Sequence, residues 1–139
     1  MATLPTTLKF EVATPKGLAL SVDASSVQAP SVSGEFGVLP GHLPMIAALR
    51  CGVVKYVEAG TTHVVAIDRG FAEAGPSKVV LLTEALARPE DVNVEDVKKA
   101  LTAAQAKLAA VKSDVTTAEY LEAQRDVQWA EARLSIASN

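Results

Sequence analysis

The sequence predicts a β+α protein: an N-terminal antiparallel β-sandwich or flattened barrel over residues 1–88, followed by a C-terminal antiparallel two-helix hairpin over residues 89–139. Three observations carry this expectation. Short runs before Arg88 alternate apolar and polar residues with the period of a half-buried strand. The composition changes at Arg88-Pro89, after which Ala, Leu, Lys, Glu and Gln dominate and no glycine or proline occurs. Beyond that point apolar residues recur at alternating spacings of three and four, the seam of paired helices.

The β half opens on Leu8-Lys9-Phe10-Glu11-Val12, which places Leu8, Phe10 and Val12 on one face, and continues with Leu18 to Asp23 in the same pattern. Residues 53–57, 63–67 and 78–82 are rich in β-branched side chains. Turn signals separate these runs at Pro15-Lys16-Gly17, Ala59-Gly60, Arg69-Gly70 and Gly75-Pro76. In the helical half, Val94, Val97, Leu101, Ala104, Leu108 and Val111 form one seam, and Tyr120, Ala123, Val127, Ala130, Leu134 and Ala137 form the other. Asn93 is positioned to cap the first helix, with Glu95 and Asp96 near its positive end, and Thr116 with Glu119 has capping-box spacing for the second. The connection around Ser113-Asp114-Val115 is short enough to force the helices antiparallel. A weaker apolar stripe on the second helix, Leu121, Trp129, Ala132 and Ile136, lies off the seam and calls for another surface: the β half or a partner.

Composition excludes several function classes. A net charge of -3 with no clustered basic run is not the footprint of a nucleic-acid binder. The single cysteine, Cys51, excludes an internal disulfide and a cysteine-based zinc site. No basic-then-apolar leader opens the chain and no run reaches the length of a membrane span. P-loop, dinucleotide and nucleophile-elbow motifs are all missing, so neither a catalytic centre, a metal site nor a cofactor is expected. A hydrolase built from Glu35, His42 and Asp68 would lack a nucleophile and an oxyanion hole.

The most informative stretch is Gly34-Glu35-Phe36-Gly37-Val38-Leu39-Pro40-Gly41-His42-Leu43-Pro44-Met45. Three glycines and two prolines in twelve residues specify a tight backbone path, which reads either as a sandwich corner with a surface carboxylate or as a rigid presenting loop. This stretch, followed by Leu49-Arg50-Cys51-Gly52-Val53, closely resembles the epsilon subunit of bacterial F-type ATP synthases. Asp68-Arg69-Gly70-Phe71-Ala72-Glu73 is similar to that family's Gly-Gly-Phe-x-Glu segment, with Arg69 where glycine is usual, and Lys78 to Ala85 looks like its closing strand. The mitochondrial counterpart is a near relative, but the Pro-Gly-His wording looks bacterial.

The resemblance implies a non-catalytic rotor subunit of the central stalk, peripheral on the cytoplasmic face of the bacterial inner membrane. It would couple c-ring rotation to the catalytic head, touching the membrane only through the complex. By family position, Glu35 and Phe36 meet the c ring, and His42, Leu43 and Met45 meet the gamma subunit. The hairpin is the family's regulatory element. It lies against the sandwich or extends along gamma to the alpha and beta subunits, where it obstructs hydrolysis, and Leu121, Arg125, Trp129, Arg133 and Ile136 are expected to dock it. Some members bind ATP at an Ile/Leu-Asp-x-x-Arg-Ala motif; here the Asp is Asn93 and the Arg is Asp96, so that motif is degenerate. A free-standing binding module is the alternative reading of the same architecture.

Overall fold

A computed structural model describes residues 6–111 and 116–137. Ten strands form a single sheet among them: β1 (Leu8–Thr14), β2 (Gly17–Ala24), β3 (Ser26–Ser31), β4 (Gly34–Val38), β5 (Met45–Leu49), β6 (Gly52–Glu58), β7 (Thr61–Ile67), β8 (Gly70–Ala74), β9 (Lys78–Thr83) and β10 (Leu86–Ala87). A 3-10 turn at Pro89–Asp91 leads into α1 (Val94–Val111) and then α2 (Ala118–Ala137). The sheet runs β10-β7-β6-β3-β5-β8-β9-β1-β2, with β4 added on β3, and wraps into a flattened barrel.

One pairing departs from the antiparallel expectation. β1 and β9 run parallel, from Lys9 opposite Lys78 to Ala13 opposite Leu82. Alternation reports which face a residue occupies, not strand direction. These two strands are separated by the whole meander and need no tight turn between them.

The interior follows the alternation. Leu8, Phe10 and Val12 are fully buried, and Val27, Val38, Val54, Val65, Val79 and Leu81 join them in one cluster. Phe10 is the only aromatic ring in that fully buried set, and it meets Tyr56 at 5.3 Å. Ala59 (φ 49°) and Gly60 (φ 80°) turn β6 back into β7 with Glu58 opposite Thr61, the left-handed pair that a type I′ hairpin requires.

Several strands escaped the alternation pattern. β4, inside the segment read as a presenting loop, pairs along β3 from Val27 opposite Val38 to Ser31 opposite Gly34. Its two glycines and the Pro30 on β3 mask the signal, because both residue types are depleted in strands. Only Leu39–Pro44 of that segment is irregular.

Both helical seams are buried or half-buried at every expected position, and α1 packs along α2. The Asn93 side chain accepts from the Asp96 N–H at 3.1 Å, closing the first cap as the sequence suggests. The second cap lies one residue later than expected: Thr117 Oγ1 accepts from the Tyr120 N–H at 3.1 Å. The connection around Ser113-Asp114-Val115 lies outside the described residues.

Candidate interaction surfaces

The strand pairings separate Glu35 from His42. Glu35 sits near the start of β4, opposite Pro30 and beside the Ser31–Gly34 turn, where the chain also makes its Arg50-Cys51 and Asp68-Arg69 turns. His42 lies past the far end of β4, where the Gly41 N–H donates to the Pro76 carbonyl at 2.7 Å and ties this loop to the β8–β9 turn. Asp68 is at the Glu35 end, in contact with Arg69. Glu35, His42 and Asp68 therefore form no common site, and the described residues contain no group of His, Cys, Asp and Glu able to hold a metal.

At the first end, the turn is fixed by Ser31, whose hydroxyl donates to the Gly34 carbonyl at 2.6 Å and accepts from the Ser33 N–H at 3.1 Å. Val32 projects from its tip, 69% exposed. Glu35 is not a free carboxylate: the Arg50 guanidinium donates to it at 3.2 Å, both side chains being about half exposed. Phe36 is half-buried: it shares strand parity with buried Val38 and packs against the edge of the core.

At the second end, the His42 ring Nδ1–H donates to the Leu43 carbonyl at 2.6 Å, and the His42 N–H donates to Leu39 O at 3.1 Å. The histidine thus braces its own turn, and Gly41 (φ 90°) supplies the left-handed step. Leu43 is thrown outward, 80% exposed, with Leu39 also exposed. Met45 starts β5 half-buried against the core, and the next residue, Ile46, is the exposed one.

The sequence pattern did not single out a row on the outer face of the barrel. Cross-strand pairing aligns Ala48 with Phe71, Phe71 with Leu82, Leu82 with Ala13 and Ala13 with Leu18. Phe71, Leu82 and Leu18 are each more than half exposed. A shallow depression of about 590 Å³ lies along this row. A signal for it was present in Val79-Val80-Leu81-Leu82, which is apolar on both parities, the mark of a strand covered on both sides.

The remaining surface is internal to the chain. The C-terminal half of α2 packs on β6, β7 and β10: Ala132 and Ile136 are buried against Ala66 and Ala87, flanked by Cys51, Val53, Val64, Val92 and Trp129. The hairpin therefore lies folded against the barrel. Arg133 stacks its guanidinium 5.1 Å from the Trp129 ring centroid and donates to the Trp129 carbonyl at 3.3 Å. Burial lowers its pKa, a cost of docking it. Of the five residues expected to dock the hairpin, Ile136, Trp129 and Arg133 lie at or beside this contact. Leu121 and Arg125 are exposed, about one to four turns closer to the start of α2. Cys51 is half-buried beside the helix, and burial pushes its thiol up to about 12.

At the start of α1, Asn93 is occupied as the cap and Asp96 is exposed to solvent. Glu95 and Asp96 give this turn a negative face.

A family model for the ATP synthase delta/epsilon chain β-sandwich domain matches residues 7–89. The ATP synthase epsilon chain of Nitratidesulfovibrio vulgaris (strain DP4) is 39% identical over 132 residues, 95% of this chain and 96% of that one. That of Halalkalibacterium halodurans is 34% identical over 94% of this chain and 97% of its own. Among solved structures, a chain of the Euglena gracilis mitochondrial ATP synthase (OSCP/F1/c-ring, rotational state 1) superposes with a TM-score of 0.81 at 21% identity, covering 99% of this chain and 85% of that one. A chain of the Tetrahymena thermophila mitochondrial ATP synthase central stalk and c ring gives 0.62 at 12% identity, covering 98% and 100%.

The barrel with a C-terminal hairpin and the matched domain define the class as a small non-catalytic stalk chain of the rotary ATP synthases. Within that class, the chain belongs to the ATP synthase epsilon chain family. It is part of a peripheral, membrane-associated complex, and no helix among its described residues is long and apolar enough to cross a membrane.

Proposed function

We propose that this chain couples c-ring rotation to the catalytic head on the cytoplasmic face of a bacterial membrane, with the barrel (residues 1–88) as the coupling unit and the hairpin (residues 89–139) as a movable regulator. The observation that carries this reading is the outer-face row Ala48, Phe71, Leu82, Ala13 and Leu18, whose three large side chains are exposed. An isolated soluble domain has no use for a contiguous apolar band of this kind, whereas a stalk chain held against another subunit buries it. The gamma subunit is its occupant, reaching Leu43 and the His42 turn at the far end. The Glu35 end faces the c ring.

Phe71→Asp with Leu82→Asp tests the gamma assignment. Each substitution removes a large exposed apolar side chain and would place a carboxylate in a dry interface, together costing about 3 kcal/mol or more of binding. Copurification of gamma with the tagged double variant should fall about a hundredfold relative to wild type, while the circular dichroism spectrum stays unchanged. Undiminished recovery of gamma would remove this row from the interface.

In the contracted position, Trp129, Ala132 and Ile136 dock the hairpin. In the extended position, Leu121 and Arg125 become available to the alpha and beta subunits. The second helix carries Arg125 and Arg133 against Glu119, Glu122, Asp126 and Glu131, a poor match for an acidic partner, so hydrolysis is restrained by apolar contact more than by charge.

The nucleotide latch of some relatives is lost here. Asn93 serves as a helix cap, and the acidic Asp96 stands where a cation would meet the phosphates. Titration calorimetry of the isolated chain with ATP should give no heat of binding up to about 100 μM; a saturating isotherm with a Kd of a few micromolar would show that a latch has been rebuilt from other residues.

A further inference from the structure

The Glu35 end of the barrel carries a second charged residue that family position does not assign. Arg50 leaves the end of β5 with its N–H donating to the Pro30 carbonyl at 3.2 Å, then sends its side chain back across Gly52. A Cβ on Gly52 would stand 3.3 Å from the Arg50 Nη1 and 3.0 Å from the Pro30 ring. The missing side chain therefore gives the guanidinium a few tenths of an ångström more room in its channel. At the end of that channel Arg50 Nη2 reaches Glu35 Oε1 at 3.2 Å, while Nη1 donates to the Cys51 carbonyl at 3.4 Å. Pro30 lies beneath, fully buried and opposite Glu35 on the neighbouring strand.

We infer that Arg50 is a positioning residue for the c-ring contact: it holds the Glu35 carboxylate in one orientation beside the exposed Val32 tip, so that the ring meets a fixed, internally neutralised pair. The inference rests on the reading that this end faces the c ring. Its chemistry differs from that of a lone carboxylate. A free glutamate attracts any nearby cation over the Debye length and loses that attraction steeply with salt. A paired one offers its remaining lone pairs at short range, and only to a polar loop that also accepts from the guanidinium. The pair thus selects a loop presenting both a donor and an acceptor, and its contribution varies little with ionic strength. Arg50 can act this way because its start is tied into the sheet and its path is walled by Pro30 and Gly52, which lowers the entropy lost when the pair forms.

The test is a cycle of Glu35→Gln, Arg50→Gln and the double variant. Each is assembled into the head-and-stalk complex and titrated onto immobilised purified c rings at low and at physiological salt. Arg50→Lys is included as the conservative variant. The expected result is a two- to fivefold loss of affinity for each single variant, as an exposed pair allows. The double variant should bind no worse than the weaker single, and Arg50→Lys should recover part of the loss. Wild-type affinity should change less with salt than that of Arg50→Gln, which leaves the carboxylate unpaired. Weakening by Glu35→Gln with Arg50→Gln equal to wild type would overturn the role of Arg50 and leave the c-ring reading standing, and so would fully additive losses, which would make Arg50 an independent contact. No effect of any variant would overturn both. Melting temperatures of the isolated variants, expected to match wild type, separate these outcomes from misfolding.

Discussion

Gly70→Ala is expected to destabilise the barrel by about 3–5 kcal/mol, the range of severe backbone and packing lesions. A Cβ added at Gly70 would lie 1.8 Å from the Leu82 carbonyl oxygen, 2.8 Å from its carbon and 2.9 Å from Thr83 Cα. All three are main-chain atoms of β9, so no rotamer change can make room. Nor can β8 slide away, because Gly70 is also paired with Leu49 of β5 on its other side. Relief requires parting β8 from β9 at the point where the sheet passes toward β1, which disturbs the parallel pairing that β1 makes. Urea unfolding of the isolated chain should show the midpoint falling by about 2 M, given slopes of 1–3 kcal/mol/M for domains of this size. Gly75→Ala is the matched control: its Cβ would meet nothing within 4 Å and its φ needs no glycine, so its midpoint should stay within experimental scatter. Equal shifts for the two variants would mean that Gly70 acts through unfolded-chain entropy and not through the clash. The same geometry explains why Arg69 is accepted where the resemblance leads one to expect glycine. Of Arg69 and Gly70, only Gly70 presses on a neighbouring backbone, and Arg69 has no left-handed φ.

Ile136→Asp should release the hairpin and leave the barrel folded. Ile136 is 3% exposed and is packed in a cluster with Ala66, Ala87 and Ala132. An aspartate there loses about 1.5–3 kcal/mol of apolar burial and adds the desolvation of a charge, the nearest cation on α2, Arg133, being already engaged with the Trp129 ring and carbonyl. The docked state gives way because undocking returns the carboxylate to water while the barrel's own cluster is untouched. Cys51 reports the result. Burial holds its thiol at about 12 against an ordinary value of 9.0, and only the thiolate attacks a disulfide reagent. At pH 8 the docked thiol is almost wholly protonated, and undocking lessens its burial, moves it back toward the ordinary value and raises its thiolate fraction. The intrinsic nucleophilicity of the less basic thiolate falls with the same change, but by less than the thiolate fraction rises. Labelling with an aromatic disulfide should therefore accelerate severalfold, with Trp129 fluorescence shifting to the red as it loses its apolar neighbours. Unchanged Cys51 kinetics alongside a folded barrel would show that the thiol is kept protonated by burial among its own strands and by the Asp68 carboxylate, and not by α2.

The two helices were the most legible part of the chain. Their apolar residues repeat at helical spacing over five turns each, and the single preceding cap, Asn93, has one short local function. The cap of α2 was displaced by one residue because Thr116 and Thr117 are adjacent hydroxyls, and spacing to Glu119 alone could not choose between them. Strands with clean alternation, β1 above all, were legible for the same reason as the helices: a period in the sequence maps onto a face. β4, β5 and β8 carry glycine or alanine where a period would need large side chains, so their pairing with β3 and with each other left no local trace.

The candidate surfaces divide along the same line. The Gly34 to Met45 motif was visible as a composition, yet facing within it depends on parity, which is fixed only once the register with β3 and β8 is known. That is why Glu35 and Leu43 point outward while Phe36 and Met45 are half-buried against the core. The row through Phe71 and Leu82 joins five strands that are scattered over seventy residues of sequence, and the Arg50–Glu35 pair joins two turns fifteen residues apart. By itself the sequence determined what local periodicity and composition can encode: a barrel followed by a hairpin, a core of aliphatic residues, and a family motif. Only the tertiary structure decided which of those residues share a surface, because strand register and the docking of α2 are set by long-range pairing and burial, neither of which leaves a signal between neighbours in the chain.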